Sequence, residues 1–257
     1  MKIKIIKSIF SLLALSAASH GAVTVGSDLA SDTAYNSGWT NGTDGGTIAT
    51  FGAWALANGG VNSGHFIGNS AFVGSPGADI NSAGESFGMF GHSGQTSEAF
   101  RDFNGNSLGV GQTFSLNLAV NFRNGQKGFD LRNSADAVIF NFNVGNLGGV
   151  DDYAVQFAAS GNGSIGNTYS ANSAFMLAFT QTSGAGGSWT ITRSGGVADL
   201  DSGTYLGVAE NFKIYNSNTS GGAAENNLFA NSFTVVPEPT SAALGLIGSI
   251  LLLRRRK

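Results

Sequence analysis

Along Thr113–Arg123 every second residue is apolar: Phe114, Leu116, Leu118, Val120 and Phe122 alternate with Thr113, Ser115, Asn117, Ala119, Asn121 and Arg123. Period two sends successive side chains to opposite faces, so this run predicts a strand with one buried face. Val138, Phe140, Phe142 and Val144 alternate with Ile139, Asn141 and Asn143 in the same way. Tyr153, Val155 and Phe157 repeat the pattern, as do Phe175, Leu177 and Phe179. Trp189 and Ile191 within Ser188–Arg193, Phe212 with Ile214, and Phe229 with Phe233 and Val235 mark further strands. Nearer the N-terminus the candidates are Phe51–Leu56, Phe87–Phe90 and Ala99–Phe103.

Glycine-rich punctuation separates these runs: Asn41-Gly42, Asp44-Gly45-Gly46, Asn58-Gly59-Gly60, Asn124-Gly125, Gly148-Gly149 and Gly184-Ala185-Gly186-Gly187. Such clusters supply the positive-φ positions of tight hairpins. Between Ala22 and Val236 there is no 3.6-residue apolar period, no dividing linker and no fixed-period repeat. The expectation is an all-β chain with a single jelly-roll-like β-sandwich over residues 22–236, a barrel or β-helix being the alternatives.

Both ends leave this pattern. Lys2, Lys4 and Lys7 precede the apolar run Ser8–Ala18, and Ser19, Gly21 and Ala22 then offer small residues around His20. These are the parts of a secretory signal peptide, assigned to residues 1–21, with cleavage after Gly21 or Ala22. At the other end Pro237-Glu238-Pro239 stops the last strand, Ser241–Leu253 is apolar or small, and Arg254-Arg255-Arg256-Lys257 closes the chain. Thirteen residues give a helix of about 20 Å, short of the ~30 Å hydrocarbon core, with the basic tail on the cytoplasmic side. Residues 237–257 thus predict a short transmembrane helix anchoring an exported domain to the inner membrane.

The order of these C-terminal features resembles the PEP-CTERM sorting signal of Gram-negative bacteria, carried here by Pro237, Glu238, Pro239, the short helix and Arg254, Arg255 and Arg256. The resemblance implies recognition by an exosortase-type membrane protease and release to the cell surface or an exopolysaccharide matrix. An ordinary tail anchor is the alternative. The body resembles exported bacterial proteins with lectin-like sandwiches, at Gly38-Trp39-Thr40-Asn41-Gly42, Phe66-Ile67-Gly68-Asn69-Ser70, Gly88-Met89-Phe90, Val110-Gly111-Gln112-Thr113-Phe114 and Leu131-Arg132-Asn133-Ser134. That likeness implies a fold and no reaction.

Composition narrows the partners. Hydrophobic residues reach 42% and phenylalanine alone contributes 19, so a core is available and disorder is excluded. Charged residues are only 11%, against about 25% in ordinary domains. The net charge of −3 conceals an asymmetry, because seven of the 13 basic residues sit at the two ends. Residues 22–236 hold six basic and fifteen acidic side chains, a net of −9. That excludes nucleic acid as a partner and admits calcium. The absence of cysteine excludes disulfides, zinc–thiolate centres and thiol nucleophiles.

Candidate chemistry is sparse. After signal removal His65 and His92 remain, expected as exposed loop residues with no triad spacing around them. Glycosidases pair two carboxylates; Glu85 and Glu98 are the only glutamates of the N-terminal half, and the Glu-x-Asp-x-Glu signature frequent on lectin-like sandwiches is missing. Asp151-Asp152, Asp199 with Asp201, and the Asn41/Asp44 turn offer oxygens that suit calcium or simply cap turns. Trp54 and Trp189 occupy apolar strand positions and are expected in the core. Trp39, with Asn41 and Asp44 beside it, is the candidate glycan contact. The sequence therefore reads as a noncatalytic surface or matrix protein. A carbohydrate-binding module acting on extracellular polysaccharide is the first alternative, a secreted glycoside hydrolase the second.

Overall fold

The alternating runs pair into two antiparallel sheets that bury their apolar faces against each other, a β-sandwich. The computed structural model describes residues 25–46, 50–72, 78–145, 153–165, 170 and 172–237. The signal-like segment, Asp151-Asp152, and Glu238, Pro239 and Arg254–Lys257 lie outside the described residues.

Fifteen strands are described: β1 Gly26–Asp28, β2 Ala55–Asn58, β3 Ser63–Gly68, β4 Ser86–Gly91, β5 Thr96–Asp102, β6 Gln112–Val120, β7 Gln126–Arg132, β8 Val138–Gly145, β9 Tyr153–Gln156, β10 Gly163–Ser164, β11 Ser173–Ser183, β12 Gly186–Ser194, β13 Asp199–Leu206, β14 Asn211–Ser217 and β15 Leu228–Pro237. One sheet runs β13-β12-β11-β6-β15-β4-β3, with β1 also paired to β15; the other runs β10-β9-β8-β7-β14-β5-β2. Among the described residues the helical elements are three single turns of 3₁₀ helix, and no helix is long and apolar enough to cross a membrane.

The core sits where period two places it. Phe114, Leu116 and Leu118 of β6 face Phe129 and Leu131 of β7 and Phe212 and Ile214 of β14, all at most 1% exposed. Rings meet across the two sheets, as in Phe114 on Phe212 at 4.9 Å and Phe129 on Phe179 at 5.2 Å. Trp54 and Trp189 lie in this core. Burial of this much aromatic surface suits a cysteine-free chain that has no cross-links to rely on.

Three expected inward residues depart from the pattern. Phe122 is 41% exposed, because β6 ends at Val120. Val138 is half-exposed, because the β7–β8 register shifts between Leu131 and Arg132. Phe157 follows the last residue of β9, takes φ +60° and is 65% exposed.

Candidate functional site

The expected glycan contact does not form. Trp39 is 3% exposed, with its ring packed on Trp54, His65 and Phe87 at 5.1, 4.9 and 5.0 Å. No ring face is left for a sugar. Asn41 accepts a backbone hydrogen bond from Leu56, and Asp44 accepts from the Arg101 guanidinium. Arg101 is itself 2% exposed, pairs with the fully buried Asp28, and lies over the rings of Phe51 and Trp54. Tyr35 donates to Asp28 and receives the Trp54 indole N–H. Trp39, Asn41 and Asp44 are thus parts of a latch that fastens residues 28–46 and 50–54 to the sandwich. A glycine-rich context looked like an exposed turn, whereas this segment folds back over buried side chains.

The histidines are not exposed loop residues either. His65 stands in β3, and both ring nitrogens are buried without a hydrogen-bond partner. Burial pushes its pKa down to about 4, against a smaller upward pull from the Glu98 backbone carbonyl. His92, half-buried, contacts Ser93 Oγ at 3.0 Å. Glu85 is exposed and lines a cleft of about 590 Å³ with residues 35–40 and 65–67. Glu98 lies on β5 and lines a different cleft, so these two glutamates do not face each other across one site. Asp199 and Asp201 accept from the backbone of Leu200 and Ser202. Among the described residues no cluster of three His, Asp or Glu side chains is placed to hold a metal.

The outer face of the seven-stranded sheet carries the best-formed site, and the register explains its assembly. One row across the strands reads Phe100, Lys213, Asp130, Asn141, Gln156; the next reads Glu98, Tyr215, Gly128, Asn143, Ala154. Residues opposite one another share a face, so both rows point away from the core. Gly128 leaves the gap through which Tyr215 reaches Asn143; a Cβ there would stand 2.9 Å from the Tyr215 hydroxyl and collide with the Phe142 carbonyl. Lys213 Nζ lies 3.0 Å from Glu98 Oε1 and 3.2 Å from Asp130 Oδ2. The other Asp130 oxygen accepts from Asn141 Nδ2 at 2.7 Å. The Tyr215 hydroxyl accepts from Asn141 and Asn143 at 2.9 and 2.7 Å. Burial, reinforced by the Asp130 charge, pushes the Tyr215 pKa up against those two amide bonds, so the phenol keeps its proton.

This network floors a cleft of about 540 Å³ whose lining includes Glu98, Asp130, Asn141, Gln156, Phe157, Lys213 and Tyr215. Asn141 and Asn143 are 4% and 0% exposed, yet the side-chain oxygen of each lacks a hydrogen-bond partner. Phe157 offers an exposed ring at the lining. Compensated charge, the unpaired amide oxygen of Asn141 and an exposed aromatic suit reversible binding of a polar uncharged molecule. Sequence reasoning weighed only Glu98 among these residues as a candidate for chemistry, with Asn141 and Phe157 entering it as strand positions alone. The available signal was the outward pair Asn141 and Asn143 in an otherwise aromatic strand, since an amide on an alternating strand must find partners outside the core.

Comparison with protein-family models finds none that matches the chain, and no curated protein matches it.

Proposed function

We propose that the protein is an exported, noncatalytic β-sandwich of jelly-roll type, delivered to the cell surface or exopolysaccharide matrix through its C-terminal segment. The observation that supports this reading is where β15 ends. This strand lies inside the eight-stranded sheet, and its last residue is Pro237, the first of the Pro-Glu-Pro triplet. Val236 is 46% exposed and Pro237 is also exposed, so the motif starts where the core stops. Proline lacks the N–H that would continue a ladder, which suits Pro237 to the last position of a strand. A protease of the exosortase type would act just beyond a finished domain, and removal of the apolar segment would leave the core closed. Residues 1–21 serve as the export signal, and Ser241–Leu253 with Arg254, Arg255 and Arg256 as a transient inner-membrane anchor. In support of a noncatalytic role, Glu98 is held by Lys213, and Glu85 opens onto another cleft.

Intact-mass measurement of protein recovered from its native surface tests this. The main species should lack residues through Gly21 or Ala22 and should also lack Arg254–Lys257. A main species that retains Arg254–Lys257 replaces sorting with a plain tail anchor.

A further inference from the structure

We propose that the outer face of the seven-stranded sheet binds a neutral sugar chain, with Phe157 as stacking platform and Asn141 as buried acceptor. This site is independent of the export reading. Three observations carry it. Asn141 is 4% exposed and lines the cleft, with both amide hydrogens used on Asp130 and Tyr215 and its oxygen buried without a partner. A buried carbonyl without a donor is costly in the folded chain, and a ligand hydroxyl removes that cost. Beside it, the Tyr215 hydroxyl already accepts two amide hydrogens, so its own proton remains to be given to a ligand oxygen. Sugar hydroxyls both donate and accept, and they match this pair.

The third observation is Phe157. A bulky residue at φ +60° is held in a backbone conformation that L side chains rarely adopt, and the outcome is a ring turned into solvent beside Gln156. Neither burial nor regular strand geometry accounts for that placement. A ring at the edge of a polar cleft fits the C–H face of a pyranose, leaving the equatorial hydroxyls for the amides. The charges set the class of sugar. Lys213 is neutralised by Glu98 and Asp130, so these three groups carry a net −1 and present no free cation to an anionic polymer. Both carboxylates are in turn engaged by Lys213, so a cationic ligand finds no free anion to pair with. Uncharged polysaccharide remains.

The test titrates the full chain with cello-, laminari- and malto-oligosaccharides, and with polygalacturonate as the anionic arm, by calorimetry and by side-chain amide NMR. At least one neutral series should bind, shift the Asn141 and Gln156 amide resonances, and leave polygalacturonate unbound. Phe157→Asn removes the ring while accepting positive φ, and should weaken binding about tenfold with an unchanged melting temperature. Gln156→Ala, on the same lining, gives a second variant should the first fold poorly. Failure of every neutral series to bind, or preference for polygalacturonate, overturns the proposal. So does binding that survives both substitutions with the Asn141 amide unmoved.

Discussion

His65 shows how one side chain couples the edge of the sandwich to acidity. Its ring stands edge-on to Trp39 at 4.9 Å and 85°, with both nitrogens out of water and unpartnered. In the unfolded chain the imidazole takes up its proton near its ordinary value of 6.5, whereas in the fold burial holds that value down to about 4. Below about pH 6.5 the unfolded state therefore binds more protons than the folded one. Stability from this residue is full above that pH and is lost as the pH falls towards 4. Denaturant melts at pH 7 and pH 4.5 should show a loss from His65 on the order of 1–3 kcal/mol. His65→Leu should reduce the loss by that amount; equal pH dependence in both proteins would mean the ring reaches water. The sequence placed His65 in a loop because Ser63-Gly64-His65 carries no alternation, and only its pairing opposite Met89 reveals the strand. Trp39 was misjudged for a related reason. A residue between turn signals is buried when the whole segment folds back, and the Arg101–Asp28 pair that holds it there joins positions 73 residues apart.

At the scale of elements, alternation is informative where a strand buries one face and silent where it does not. β6, β11 and β12 are legible directly, since Leu116, Leu177 and Ile191 lie in one cross-strand row of the core, each at most 1% exposed. In β13 the same reading would turn Leu200 and Leu206 inward, but they are 68% and 69% exposed. Its register to β12 sets Asp201 beside Ile191 and Ser202 beside Thr190, which puts the leucines on the outer face. The polar cleft was hidden because β14 inserts between β7 and β5, and no periodicity announces that order. Its residues come from five strands, and Glu98 of β5 reaches Asp130 of β7 only through Lys213 of β14. The sheet assignment has a direct test in β6. Leu116→Asp buries an unpaired carboxylate between the sheets and should cost on the order of several kcal/mol, enough to unfold a domain of ordinary stability. Asn117→Asp, one residue along on the outer face, should shift the melting temperature little. Equal melts for the two variants would mean that β6 faces the other way.

For the whole molecule, the order of strands in space decides when the fold can close. β15 is last in sequence, yet it pairs with β6 on one side and with β4 and β1 on the other. Phe233 and Val235 of this strand are fully buried, and Phe233 packs on Trp54 and Phe212. Without it the eight-stranded sheet would split into β13-β12-β11-β6, β4-β3 and an isolated β1, with open edges and an uncovered core. The pairings of β15 reach back across most of the chain, so loop-closure entropy is met before they form and closure is expected late. Truncation separates strand from tail. A chain ending at Pro237 retains every described contact and should melt within a degree or two of the full chain, as an exposed terminus contributes little. A chain ending at Asn227 loses ten residues of an interior strand and should be insoluble or lack a cooperative transition. If the Asn227 chain folds, β15 is an accessory strand and the sandwich closes without it. If the Pro237 chain fails to fold, residues beyond the strand belong to the domain, and the proposed removal of the tail is ruled out. The two truncations thus locate the boundary between the fold and the proposed sorting segment to within one strand.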